Sequence, residues 1–219
     1  MIGIFDSGLG GLTVVKEIFR VMPDAPILYL GDLARMPYGT KSKETICKYA
    51  EENTRFLLDH GAKIIVIACN TASSLAYDHL RAKFPDTPIL EVVSPAARKA
   101  TELTKNNKIG VIGTRATISS KIYEKKIMEL KSDAHVFGAS APLLVSLIEE
   151  GWLDKTETKM ILKKYLHPLK KEQIDTLILG CTHFPLIKGL IQHRIGKRVN
   201  LIDSAEAVVE DLASKSYPD

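Results

Sequence analysis

The sequence predicts an α/β protein of two similar lobes, each a mainly parallel four-stranded sheet flanked by helices. The lobes are expected to be related by pseudo-two-fold symmetry, with the active site in the cleft between them. Three observations predict this. Short apolar, β-branched runs alternate with segments of helical period. The runs recur with nearly the same spacing in both halves of the chain. Equivalent runs in each half are succeeded by residues that carry thiols, hydroxyls or carboxylates.

Strands are read at 2–5, 27–30, 64–68 and 89–93, and again at 109–113, 134–138, 176–180 and 199–203. Their starts are 25, 37 and 25 residues apart in the first set and 25, 42 and 23 in the second. Between them, Leu12, Val15, Phe19 and Met22 repeat at helical spacing. A helix over 43–59 contains Cys47. Ser94-Pro95 reads as a helix start, with the hydroxyl at the cap and proline in the first turn. The polar segment 104–108 reads as the linker between the two units. Tyr123, Ile127 and Leu130, then Ile161, Tyr165 and Leu169, mark two further helices, and Ser204 reads as another cap. The expected division is a first lobe at 1–94, to which 204–219 returns, and a second lobe at 95–203. Alternating strands and helices imply sheets covered on both faces, and ligands in such folds bind beyond the carboxyl ends of the strands.

Composition bounds the function. The 219 residues are 45% hydrophobic and 26% charged, as in an ordinary globular chain. No apolar run approaches the ~20 residues that a membrane-spanning helix requires. The opening Met1-Ile2-Gly3-Ile4-Phe5 enters structure at once, without a basic segment ahead of a long apolar one, so the cytoplasm is the expected compartment. The net charge of +4 is spread over lysine-rich stretches at 121–131 and 155–171 with acids interleaved, which reads as solvated helix faces. No nucleic acid or membrane partner is expected.

The residues just past the strand ends carry the chemistry. After the first strand comes Asp6-Ser7-Gly8, after the third Cys69-Asn70-Thr71, after the fifth Gly113-Thr114, and after the seventh Cys181-Thr182-His183. A single cysteine that ends a strand is ordinarily a small hydrophobe, and Cys47 is read that way. Equivalent placement of Cys69 and Cys181 in both repeats points instead to a pair of thiols opposed across the cleft. Tuned thiols can remove a proton from one face of a carbon and deliver one to the other. Asp6 and His183 are the nearest titratable neighbours, and Asn70, Thr71, Thr114, Thr117 and Thr182 offer hydrogen bonds. The competing readings are plainer: Asp6 as a turn residue and His183 as a helix-start or packing residue. Ser7-Gly8-Leu9-Gly10-Gly11 lacks the Gly-Lys-Ser/Thr ending of a phosphate-binding loop. No Cys-x-x-Cys or paired-histidine spacing suggests zinc, so no metal is expected.

Several longer motifs carry a resemblance. Ile4-Phe5-Asp6-Ser7-Gly8-Leu9-Gly10-Gly11-Leu12-Thr13, Gly31-Asp32 through Pro37-Tyr38-Gly39-Thr40-Lys41-Ser42, and Ala68-Cys69-Asn70-Thr71-Ala72-Ser73 come in the first half. Gly113-Thr114-Arg115-Ala116-Thr117-Ile118, Leu179-Gly180-Cys181-Thr182-His183-Phe184-Pro185 and Ile202-Asp203-Ser204-Ala205-Glu206 come in the second. In this order they resemble the motifs of glutamate racemases through nearly the whole chain. The broader aspartate/hydantoin racemase superfamily shares the two-cysteine plan but not this opening or the Pro-Tyr-Gly loop.

The resemblance implies interconversion of L- and D-glutamate without a cofactor, supplying D-glutamate for peptidoglycan, by a cytoplasmic enzyme that is usually a homodimer. It implies that Cys69 acts on the D-enantiomer with Asp6 assisting, and Cys181 on the L-enantiomer with His183 assisting and Glu149 supporting His183. It implies substrate contacts at Asp6, Ser7, Tyr38, Gly39, Asn70, Thr71, Thr114, Thr117, Thr182 and His183. The alternatives are a racemase of another acidic amino acid such as aspartate, or a non-catalytic binding relic of the fold. Two departures stand out. Ala141 occupies a position where the family often has a cysteine outside the catalytic pair. Family members usually run roughly 40 residues further, adding a last strand and helix on the first lobe, which predicts a free sheet edge there. Nothing precedes the first strand, so regulation by a cell-wall precursor bound to such an extension is not expected.

Overall fold

The computed structural model describes residues 1–214. The first half runs β1 (Ile2–Asp6), α1 (Leu12–Val21), β2 (Ile27–Gly31), a 3₁₀ turn (Tyr38–Thr40), α2 (Lys43–Asp59), β3 (Ile64–Ile67), α3 (Asn70–Lys83) and β4 (Ile89–Glu91). The second continues with α4 (Val93–Leu103), β5 (Lys108–Gly113), α5 (Arg115–Ser119), α6 (Ile122–Leu130), β6 (His135–Ser140) and α7 (Pro142–Glu149). It ends with α8 (Thr156–Lys171), β7 (Thr176–Gly180), a 3₁₀ turn (Phe184–Ile187), α9 (Lys188–Ile195), β8 (Asn200–Asp203) and α10 (Ser204–Ser214).

The strands form two four-stranded sheets of the same order, β2-β1-β3-β4 and β6-β5-β7-β8. All neighbours are parallel, with Ile2 opposite both Ile27 and Ile64 in one sheet, and Ile109 opposite Val136 and Thr176 in the other. Central strands of such sheets are covered on both faces, which accounts for the unbroken, wholly buried apolar run of β3. In each sheet the chain first steps to one side of its opening strand and then to the other. The switch lies between β1 and β3, and between β5 and β7. Crevices open at the carboxyl ends of strands at such points, and Asp6, Cys69, Gly113 and Cys181 all lie there. At the edges of the first sheet, β2 is half-buried along its length, whereas β4 is buried.

Several local expectations are corrected. Helix α1 turns Val14 and Ile18 inward and leaves Leu12 and Phe19 nearly half exposed. Its apolar residues offer two overlapping stripes, and the one through Val14 and Ile18 meets Ile2, Ile4 and Val66. On α6, Tyr123 and Ile127 are buried as read, but Leu130 is exposed at the end of the helix. Helix α8 fills the second core mainly with Leu162, Leu166 and Leu169, while Ile161 and Tyr165 are only partly buried.

Ser94 does not cap its helix. The Glu91 carboxylate accepts the N–H groups of Val93 and, at 2.8 Å, Ser94. A carboxylate reaching both free donors satisfies the helix start better than a single hydroxyl. Likewise the Asp203 carboxylate accepts the Ala205 N–H at 2.9 Å, which leaves the Ser204 hydroxyl free for another partner. Segment 104–108 is not the passage between the units. Helix α4 already packs with Ile109, Tyr123 and Ile178 of the second half. Asp175 then fastens the turn after α4 by accepting the Thr104 hydroxyl at 2.7 Å and the N–H groups of Lys105 and Asn106 at 2.6 and 2.8 Å. The chain crosses before α4, just after β4.

Helix α10 touches both sheets. Ala205, Val208, Val209 and Leu212 join the core around Ile2, Ile4 and Val14, while Ala207 joins the core around Ile178 and Ile202. Arg98 and Lys99 of α4 pair with Asp211 and Glu210 of α10 at 3.0 and 2.5 Å. Residues 215–219 of the returning segment lie outside the described residues. Among the described residues no helix is long and apolar enough to cross a membrane.

Candidate active site

A cavity of about 390 Å³ opens between the sheets at their carboxyl ends, and both Cys69 and Cys181 line it. Cys69 ends the connection from β3 and precedes the first turn of α3, and Cys181 directly follows β7. Both thiols are buried and free of any disulfide. The same wall contains Ser7, Tyr38, Gly39, Asn70, Thr71, Thr114, Thr182, His183 and Glu149. Cys47 lies elsewhere, with its thiol 3.4 Å from the Leu75 carbonyl.

The two thiols have different company. Cys69 Sγ lies 3.7 Å from Ser7 Oγ. Cys181 Sγ lies 3.7 Å from His183 Nδ1, and His183 Nε2 lies 3.0 Å from Glu149 Oε1. The line Cys181–His183–Glu149 joins the end of β7 to the end of α7, so the carboxylate orients the ring that faces the sulfur. Burial, and then the nearby Asp6 carboxylate, push the Cys69 thiol up to about 12, against the opposing pull of the Ala72 N–H and Ser7. Burial pushes the Cys181 thiol well up too; the His183 N–H opposes this, and the charges of Cys69, Asp6 and Glu149 add to it. Withdrawal from water disfavours the thiolate in both cases.

Not every sequence-predicted residue faces the cavity. Asp6 is fully buried beneath it, accepting the Gly8 N–H at 3.0 Å and the Thr182 hydroxyl at 3.4 Å. Burial raises its carboxyl, opposed chiefly by His183. The group beside Cys69 is therefore Ser7, while Asp6 acts on the thiol through charge and ties the first lobe to the second. Thr117 also lies behind the wall, where its hydroxyl is 3.0 Å from that of Thr114, which is in turn 3.0 Å from Thr71 Oγ1 across the lobes. The Tyr38 hydroxyl turns away from the cleft: it donates to Asp32 and accepts from Asn53 Nδ2 at 3.1 Å. Arg35 completes this anchor by pairing with Asp32 at 2.7 Å and Asn53 at 2.8 Å. What the Tyr38–Gly39 loop offers a ligand is its main chain, which approaches so closely that a Cβ on Gly39 would lie 3.0 Å from Thr114 Cβ.

Met36, Arg115, Leu143, Val145 and Ser146 also line the cavity and were not singled out from sequence. Arg115 stands inside one of the family-like motifs, but nothing in its spacing distinguishes it from a surface cation. The helix α7 residues carry an apolar pattern that reads as core. The cleft combines two buried thiols, one imidazole–carboxylate pair, four threonines and an arginine. It suits a small anionic substrate presented with a carbon between the sulfurs. Among the described residues no group of three or more His, Cys, Asp or Glu side chains is placed to hold a metal ion.

Comparison with known proteins gives a consistent result. A model of the Asp/Glu/hydantoin racemase family matches residues 9–212. A glutamate racemase of a Sulfurihydrogenibium species is 50% identical over 212 residues, covering 96% of this chain and 81% of that protein. The crystal structure of a glutamate racemase from Bacillus anthracis is similar with a TM-score of 0.94 at 42% identity, covering 98% of this chain and 80% of that one. That of a Francisella tularensis glutamate racemase in complex with D-glutamate has a TM-score of 0.91 at 40% identity, covering 97% and 79%.

Proposed function

The chain belongs to the Asp/Glu/hydantoin racemase family, and from that premise we propose that it interconverts L- and D-glutamate by proton transfer between two opposed cysteines. The observation that carries the reading is that Cys69 and Cys181, at equivalent ends of two repeated sheets, line one cavity. The relatives named above are glutamate racemases, and one of them holds D-glutamate.

One sulfur, as thiolate, takes the proton from Cα of the bound amino acid. The electron pair left on Cα is delocalised toward the α-carboxylate. The opposite thiol then gives its proton to the other face, and the two sulfurs exchange protonation states. Cys181 serves as base toward L-glutamate and Cys69 toward D-glutamate. His183, held by Glu149, stabilises charge on Cys181, while Ser7 hydrogen-bonds Cys69. A thiol pushed up to about 12 is rarely ionised but forms a strong base when it is, which suits an unreactive C–H bond. The two thiols supply both acid and base, so no step runs through a metal or a cofactor. The Tyr38–Gly39 main chain and Arg115 take the side-chain carboxylate, which favours glutamate over the shorter aspartate. A cytoplasmic homodimer supplying D-glutamate for peptidoglycan completes the reading.

The test is a chiral assay of purified protein on L-glutamate and L-aspartate, with Cys69→Ala, Cys181→Ala and Cys47→Ala beside the wild type. Glutamate is expected to be racemised at least ~100-fold more efficiently than aspartate, because displacement of Cα by about 1 Å costs that much. Either active-site substitution should stop turnover in both directions, while Cys47→Ala retains it. Comparable efficiency on the two amino acids would overturn the substrate assignment, and full activity without one active-site cysteine would overturn the mechanism.

A further inference from the structure

Leading back from the cavity wall at Asn70, three buried side chains from both halves of the molecule are hydrogen-bonded in series. The Tyr123 hydroxyl, on α6, donates to Asn70 Oδ1 at 2.7 Å. Asn70 Nδ2 donates to Ser204 Oγ at 3.3 Å, and Ser204 Oγ donates in turn to the Leu179 carbonyl at 3.2 Å. Tyr123, Asn70 and Ser204 are 3%, 2% and 1% exposed. Asn70 directly follows Cys69, and Leu179 lies in β7 two residues before Cys181. The series thus runs from the neighbour of one thiol to the strand that carries the other.

We propose that Tyr123, Asn70 and Ser204 are positioning residues that fix the separation and mutual aim of the two thiols. The inference rests on the racemase reading above. Proton removal and return need both sulfurs within reach of one carbon on opposite faces, and the sulfurs belong to different sheets. Sliding of one sheet against the other changes their spacing directly, and the series resists that sliding between the residue after Cys69 and the strand that leads to Cys181. The Asn70 amide commits one acceptor site to Tyr123 and one donor to Ser204, so each half of the amide is tied to a residue of the series. A leucine there would hold neither partner, and an aspartate would have no donor for Ser204. Burial raises the Tyr123 hydroxyl well above its usual range, so it stays a donor at every working pH. Asn70 thus lines the cavity at the start of α3 while its side chain also holds the lobes in register.

The experiment compares Tyr123→Phe and Ser204→Ala with Thr158→Val. Thr158 is also buried and bonds through its hydroxyl to the Trp152 carbonyl at 2.6 Å, but outside the cavity wall. Melting temperature, kcat and KM are measured. In heavy water, the deuterium at Cα of recovered substrate is divided by that of product. In Tyr123→Phe and Ser204→Ala, kcat should fall ~10-fold with KM within about twofold, as expected for a sub-ångström loss of alignment. The label ratio should rise about threefold, because the carbanion waits longer for the opposite thiol and recaptures an exchanged proton from the first. Thr158→Val should lower the melting temperature and leave kcat and the ratio unchanged. Should Tyr123→Phe fail to fold, Ser204→Ala carries the same readout. Wild-type kcat and label ratio in the folded variants would overturn the proposal, as would an equal change in Thr158→Val. A wild-type protein that does not racemise glutamate would overturn the underlying reading and the inference with it.

Discussion

A thiol raised to about 12 carries only roughly 10⁻⁴ of its population as thiolate at pH 8. For Cys69 the sign is plain: a raised value keeps the unreactive protonated form dominant to higher pH. Alkylation of the free protein by iodoacetamide, followed at the Cys69 peptide by mass spectrometry, should therefore quicken ~tenfold per pH unit from pH 7 to 11. A rate that levels off below pH 9 would contradict this. At this scale the sequence was legible where a residue of the cavity wall followed a strand directly, as with Cys69, Cys181 and His183. It was illegible where a side chain turned toward a remote partner. Tyr38 belongs to the right loop, yet its hydroxyl is claimed by Asp32 and Asn53. Asn70 stands beside Cys69 in the cavity wall, yet its amide bonds Tyr123 and Ser204. Neither pairing has a periodicity that a linear reading could detect.

The loop from β1 into α1 presses its main chain against the opposite wall of the cleft. A Cβ at Gly10 would lie 2.5 Å from Thr182 Oγ1 and 2.6 Å from His183 Cε1. Gly10→Ala must therefore move the loop or displace the imidazole that faces Cys181. The expected outcome is a fall in kcat/KM of ~100-fold, with melting lowered only modestly because the sheet cores are untouched. Unchanged turnover would show that the wall yields without cost. The elements themselves were largely readable, since α2 spans the expected 43–59 and β7 the expected 176–180. Helix phase and caps were not. Helix α1 has enough apolar residues for two stripes, and only the sheet decides between them. The start of α4 is held by Glu91 from the preceding strand, whereas a local rule looked to the nearest hydroxyl.

At the scale of the molecule, the repeated strand spacing foretold two sheets of one order, because each parallel step needs a crossover of a dozen or more residues and the same series of short and long steps recurs in both halves. The polar segment 104–108 was not the linker it was read as, since α4 already packs on the second sheet, and a polar turn is not always a boundary. Helix α10 was expected to return to the first lobe, and its Val208 does so while Ala207 serves the other core. The repeat is also imperfect where it matters: a serine hydroxyl stands beside one sulfur, and an imidazole backed by a carboxylate beside the other. Mirror-image amino acids have equal free energies in water, so the equilibrium between them favours neither side. The ratio kcat/KM must then be identical in the two directions, however unlike the two walls become. Their difference can show only as kcat and KM that shift together, with the enantiomer held more tightly also turning over more slowly. Initial rates from pure L- and pure D-glutamate should give unequal kcat and unequal KM whose quotients agree, and both reactions should stop at the racemate. The dissimilar walls thus let natural selection set how strongly the protein is occupied by each hand of its substrate, while thermodynamics withholds any power to prefer one as product.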